Sequence, residues 1–154
     1  MAFAAASARA IGKIGKIRQT LGRLAEVPRR AAVIAAPQLT KLLRQQFAEG
    51  VDPYGRAWAP LSAATLAKGR RPPPLTATRA LRRGTRASVL RANYAGIHLS
   101  LGAPYGYFHQ VGFRVGRRRV PARRILPQTG VPSAWRAVVQ AAIQKAARRA
   151  KGGR

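Results

Sequence analysis

No carboxylate follows Asp52. The three acids of this 154-residue chain, Glu26, Glu49 and Asp52, precede a long stretch that carries Lys and Arg to its last position. That absence bounds what can be built there. Paired-carboxylate chemistry, a Ser-His-Asp triad and an oxygen cage for Ca²⁺ or Mg²⁺ all lack their acids. Cysteine is absent as well, which removes disulfides, thiolate nucleophiles and Cys-based zinc sites. With 30 Lys and Arg against 3 Asp and Glu, the formal net charge is +27. A chain of that charge repels itself and works against something negative. Its length suits one domain with a modest core.

The first 27 residues read as a basic arm. Ile11, Ile14, Leu21 and Leu24 form a heptad-like seam with Lys13, Lys16, Arg18 and Arg23 mostly off it. Gly12 and Gly15 weaken such a helix by roughly 1 kcal/mol each. A frayed helix that orders on a partner fits, as do a transit peptide and a membrane-surface helix. No apolar run approaches the ~20 residues of a spanning helix.

Pro28 suits a first helical turn, and Val33, Ile34, Leu39, Leu42, Leu43 and Phe47 follow at near-helical spacing. Pro37 is expected to kink or split that helix, leaving a firm part over 38–48 that Gly50 ends. Asp52-Pro53-Tyr54-Gly55 has the residue types of a type I or II turn. Ser62 to Leu66 predicts a short helix capped by Ser62. Lys68 to Pro74 is a basic, proline-rich loop. Leu75 to Arg83 predicts another short helix, with Leu81 as its large apolar residue.

Thr85 to Arg91 and Ile97 to Leu101 predict a hairpin turning at Asn93 to Gly96. Ala87 and Val89 share one face of the first strand; Ile97, Leu99 and Leu101 share one face of the second. Pro104 opens a short helix with Tyr105, Tyr107 and Phe108, stopped at Gly112. Val120 to Leu126 predicts a third strand. Ser133 is the expected N-cap of a final helix striped by Trp135, Val138, Val139, Ala142 and Ile143. Residues 148–154 read as a basic tail whose charge suits a helix C-terminus. The class is α+β: N-terminal helices, a small antiparallel sheet built on a hairpin, and a C-terminal amphipathic helix. The division is an arm over 1–27, a domain over 28–147 and a tail over 148–154.

Three blocks carry a resemblance. They are Phe47-x-x-Gly50-x-Asp52-Pro53-x-Gly55-x-x-Trp58-x-Pro60-Leu61-Ser62-x-x-Thr65, then Tyr105-Gly106-x-x-His109-Gln110-x-Gly112, then Val120-Pro121-Ala122-Arg123-Arg124-Ile125-Leu126. In order and spacing they resemble the phage virion morphogenesis, or tail-completion, family from about Gln38 to the final helix. Two departures stand out: Thr78-Arg79-Ala80-Leu81 where the family often has a Thr-Gly or Ser-Gly step, and Arg124 where it usually has Pro. The resemblance implies an α+β structural protein of the head–tail junction or upper tail, assembled into rings and without known catalytic residues.

The residues themselves suit that role. Trp58 reads as an anchor pinning its loop onto the helix that ends at Phe47, worth ~3 kcal/mol or more if buried; a place in a binding pocket is the other reading. His109 with Gln110 invites a metal or general base, but His98 is the only other imidazole and no acid follows to orient either. A hydrogen bond to nearby backbone or a helix cap accounts for it. Gly112 supplies a left-handed helix stop.

Three basic clusters remain: Lys68, Arg70 and Arg71; Arg114 to Arg124, with Arg117, Arg118, Arg119, Arg123 and Arg124; and Arg148, Arg149 and their neighbours. They read as solvated loops, as sequence-independent contacts to packaged DNA, or as partners of acidic neighbouring subunits. The expectation is a tail-completion or neck-ring subunit joining head to tail in the virion, assembled in the host cytoplasm. It implies copies of itself in a ring, a hexamer by likeness to tail symmetry, together with other neck and tail proteins. No enzyme activity, cofactor, metal or membrane is expected. A ribosomal-type or other non-sequence-specific nucleic-acid-binding protein is the alternative.

Overall fold

The structure, a computed structural model, describes residues 15–76, 79–90 and 96–152. Helix α1 covers residues 15–25 and is almost wholly exposed; Ile17, Leu21 and Leu24 face solvent. The arm's other seam residues, Ile11 and Ile14, lie outside the described residues.

Helix α2 runs from Val27 to Glu49, with Pro28 in its opening turn and Gly50 at φ 69° ending it. The Gly50 N–H returns to the Gln46 carbonyl at 2.8 Å, the left-handed stop that glycine adopts without strain. Pro37 lies inside the helix and does not split it. The expectation of a firm part confined to 38–48 is thus corrected. Pro37 points to solvent, while buried residues fix the helix on both sides of it. Ala31 and Ala35 pack with Ala142 and Ala146 before it, and Leu39, Leu43 and Phe47 enter the main core after it. The lost bond to the Val33 carbonyl is outweighed by that packing. Val33 itself is exposed, off the buried stripe.

Helix α6, Ser133–Gly152, is the main partner of α2. Small residues at the α2–α6 contact let the two backbones approach closely. Ser133 is already helical and not the residue before the helix. The buried stripe is Trp135, Ala142, Ala146 and Ala150, with Val138 and Val139 partly buried; Ile143 is exposed. The helix continues past Arg148 and Arg149 to Gly152, and 153–154 lie outside the described residues.

Strands β1 (Arg86–Val89) and β2 (Ile97–Ser100) form the expected antiparallel hairpin, with Ala87 opposite Leu99 and Val89 opposite Ile97. These four line the main core, as the alternation predicts. Its expected turn at Asn93 falls outside the described residues. The Thr40 hydroxyl receives the Ala87 N–H at 3.1 Å, which straps β1 to α2.

The short elements complete the chain. Helix α3 is Ala63–Ala67, where Ser62 bonds the Thr65 hydroxyl at 2.9 Å rather than a backbone N–H. Helix α4 is Ala80–Gly84, shorter than the predicted 75–83, because Leu75 and Arg79 hold left-handed φ values of 67° and 56°. Thr78 of the departing motif lies outside the described residues. Helix α5 is Gly106–Val111. The predicted strand over 120–126 is corrected to a second hairpin, β3 (Phe113–Val115) and β4 (Arg118–Val120). Past Val120, Pro121 offers no N–H, and the N–H groups of Ile125 and Leu126 go to the Gln110 side chain.

Candidate binding groove and its arginine rim

The site begins at the Asp52 turn. Asp52 is buried, and its Oδ1 accepts the N–H groups of Tyr54 at 2.8 Å and Arg56 at 2.9 Å. Gly55 N–H closes the turn on the Asp52 carbonyl at 3.0 Å. The chain then doubles back, with Val51 bridged to Ala57 and Trp58 N–H bonded to the Gly50 carbonyl at 2.7 Å. This delivers Trp58 to Phe47, where the rings meet edge to face at 5.5 Å. Trp58 is buried, and its indole N–H donates to the Arg124 carbonyl at 2.8 Å. The loop that carries Trp58 thus lies against the end of α2.

That last bond reaches the third motif, and others follow it. Arg123 is buried; its Nε donates to the Ala59 carbonyl and its Nη2 to the Pro60 carbonyl, both at 2.8 Å. Its own backbone N–H donates to the His109 carbonyl at 2.7 Å. Gln110 is buried on α5; its Nε2 donates to the Leu126 carbonyl at 2.7 Å. Its Oε1 accepts from Ile125 at 2.7 Å and Leu126 at 3.0 Å. Gly112 ends α5 at φ 78° and ψ 160°, a glycine region distinct from the left-handed helical one expected. A Cβ there would stand 2.9 Å from the Ala122 nitrogen. Sequence shows the three motifs as separate blocks, whereas side chain-to-backbone bonds lock them into one unit and close the base of the β3–β4 hairpin.

A groove of about 1120 Å³ opens beside this unit. Its apolar walls include Pro60 and Leu61, Pro73 to Leu75, and Val115, Val120 and Pro121; Tyr105 and His109 close one side. Arg70, Arg71, Arg118 and Arg119 stand exposed around it. Arg123 lines it too, but with its guanidinium turned onto carbonyls. Arg70 and Arg71 belong to one sequence cluster and Arg118 and Arg119 to another, so the fold joins two of the three clusters at one opening.

Beyond the groove, Lys68, Arg117 and Arg124 are exposed, and Arg148 and Arg149 are exposed on the last turns of α6. A second depression of about 380 Å³ is lined by Arg44, Arg79, Arg82 and Arg83. Sequence reasoning missed it because Arg44 is on α2 and the others are at α4. Charge density along the chain carries no signal of that meeting.

His109 is half-buried between Tyr105 and Phe113, at ring-centre distances of 6.0 and 5.7 Å. Burial, then the nearby Arg123 charge, lowers its pKa from the usual 6.5, so its ring is neutral near pH 7. Its Nδ1 is buried without a hydrogen-bond partner among the described residues. Among those residues no group of three His, Cys, Asp or Glu stands ready to hold a metal. His98, on β2 opposite Ser88, is exposed. Over the described residues no helix is long and apolar enough to cross a membrane.

Compared with sequence models of known families, residues 13–148 match the phage virion morphogenesis family. The match spans all three motifs and the groove. No curated protein and no solved structure matches the chain.

Proposed function

The chain belongs to the phage virion morphogenesis family, and from that premise we propose that it is a tail-completion or neck-ring subunit joining head to tail. Membership makes it a structural protein of the phage particle, working among other virion proteins. The finer placement is supported by how its charge is disposed. The interlocked motifs build a rigid body, and the exposed basic residues stand outside it at the groove rim, beside Arg44 and at the end of α6. A body of this kind packs as a ring, a hexamer where it meets sixfold tail symmetry. The arm before Pro28 and the basic end from Arg148 then reach neighbours. Arg82, Arg83, Arg117, Arg148 and Arg149 are placed to meet packaged DNA or acidic subunits without reading base sequence. No catalytic step is assigned, since His109 has no acid after Asp52 to orient it.

Single-particle imaging of purified virions at side-chain resolution tests the proposal. The expected result is density for this chain in a ring between head and tail. A chain missing from virions and bound instead around ribosomal RNA overturns it, in favour of a nucleic-acid-binding protein.

A further inference from the structure

We propose that the arginine-rimmed groove seats an extended segment of a different virion protein, in which carboxylates alternate with apolar side chains. The source of that segment rests on the family reading; its chemistry rests on the groove. Arg70, Arg71, Arg118 and Arg119 stand around walls that include Leu61 and Val115. Arginine forks match carboxylate geometry. A nucleic-acid backbone would meet the arginines but leave those walls in water, since it offers no apolar side chains. The opening of about 1120 Å³ lies at the upper end of pocket sizes and has room for a short chain segment.

Charge also excludes a second copy as the occupant. The protein has only three acidic side chains against 30 Lys and Arg, and no segment of it alternates carboxylates with apolar residues. Asp52 is buried and receives two backbone N–H groups. Glu49 accepts from Gln45 at 2.7 Å, and Glu26 lies 3.9 Å from Arg29. Helix α1, with Ile17, Leu21 and Leu24 exposed, is itself basic and would be repelled by the rim. The complementary charge must come from another chain.

Two short fluorescein-labelled peptides of equal negative charge test this with the full-length protein, one alternating Glu with Leu and the other Glu with Ser. The Leu peptide is expected to bind about tenfold tighter, a difference set by the apolar walls. Arg118→Gln with Arg119→Gln should weaken it about tenfold. Val115→Asn should reduce the preference for Leu over Ser while leaving the fold intact, because Val115 is exposed. Leu61→Asn provides a second reading, accepted once its unfolding midpoint matches the parent. Equal affinity for both peptides, or a preference unmoved by both wall variants, overturns the proposal.

In assembled particles, a photo-crosslinker at position 115 should capture an acidic segment of a different virion protein. Capture of DNA alone, or of other copies of this chain alone, overturns the proposal. Absence of the chain from virions overturns the family-based placement and the partner's source, while the peptide preference still decides the groove's chemistry.

Discussion

At the residue scale, buried polar side chains do the joining. Gln110 satisfies two N–H groups and a carbonyl of the segment at Ile125 and Leu126. Gln110→Leu keeps the bulk and strands the buried Ile125 N–H, so each unpaired group costs about 1–3 kcal/mol. Urea unfolding should show the loss; an unchanged midpoint would mean the segment finds other partners. His109 links the same region to pH. Its folded pKa lies below the unfolded value of about 6.5, so the unfolded chain binds the proton more tightly. Stability should therefore fall as pH drops through 6.5 and level off below the lowered folded value. Unfolding midpoints between pH 8 and 5, parent against His109→Gln, check this: the variant should lack that part of the slope.

At the element scale, the long-period patterns were legible and the cross-chain ones were not. Apolar spacing located α2, the β1–β2 hairpin and α6, because each buries a face set by its own periodicity. Strand β3 has too short a pattern to show by itself, and residues past Val120 leave the strand because Gln110 takes the Ile125 and Leu126 N–H groups that a strand neighbour would otherwise take. Similarly, the three motifs were visible as words, but the bonds from Trp58 to Arg124 and from Arg123 to Ala59 and Pro60 were not. Pro37 misled for a different reason: its cost is real, but solvent exposure leaves room for the ring and packing holds both flanks. Pro37→Ala restores the N–H to the Val33 carbonyl and should stabilise the fold by about 2 kcal/mol. A lower thermal midpoint in that variant would show that α2 requires the proline.

At the scale of the whole molecule, self-repulsion governs the isolated chain. The one ion pair found among the described residues, Glu26 with Arg29 at 3.9 Å, is exposed and contributes little. Added salt should therefore raise the melting temperature by screening like charges, the reverse of what salt-bridge stabilisation would give. Duplex binding, measured by anisotropy across salt concentrations, should weaken in the variant with Arg117, Arg118 and Arg119 all changed to Ala. Its slope against log salt should flatten by up to about three phosphate contacts. Unchanged binding would assign the run to protein partners alone.

The hairpin that carries Arg118 and Arg119 leaves the body after Gly112 and rejoins it at Arg123, where Arg123 N–H meets the His109 carbonyl at 2.7 Å. Because both stems are clamped by Gln110 and Arg123, the exposed tip over 114–119 is an interchangeable cassette. Its length and charge can drift, or be grafted from one sequence to another, without refolding what lies beneath. Specificity for a new neighbour can then evolve in a handful of residues while the scaffold stays fixed.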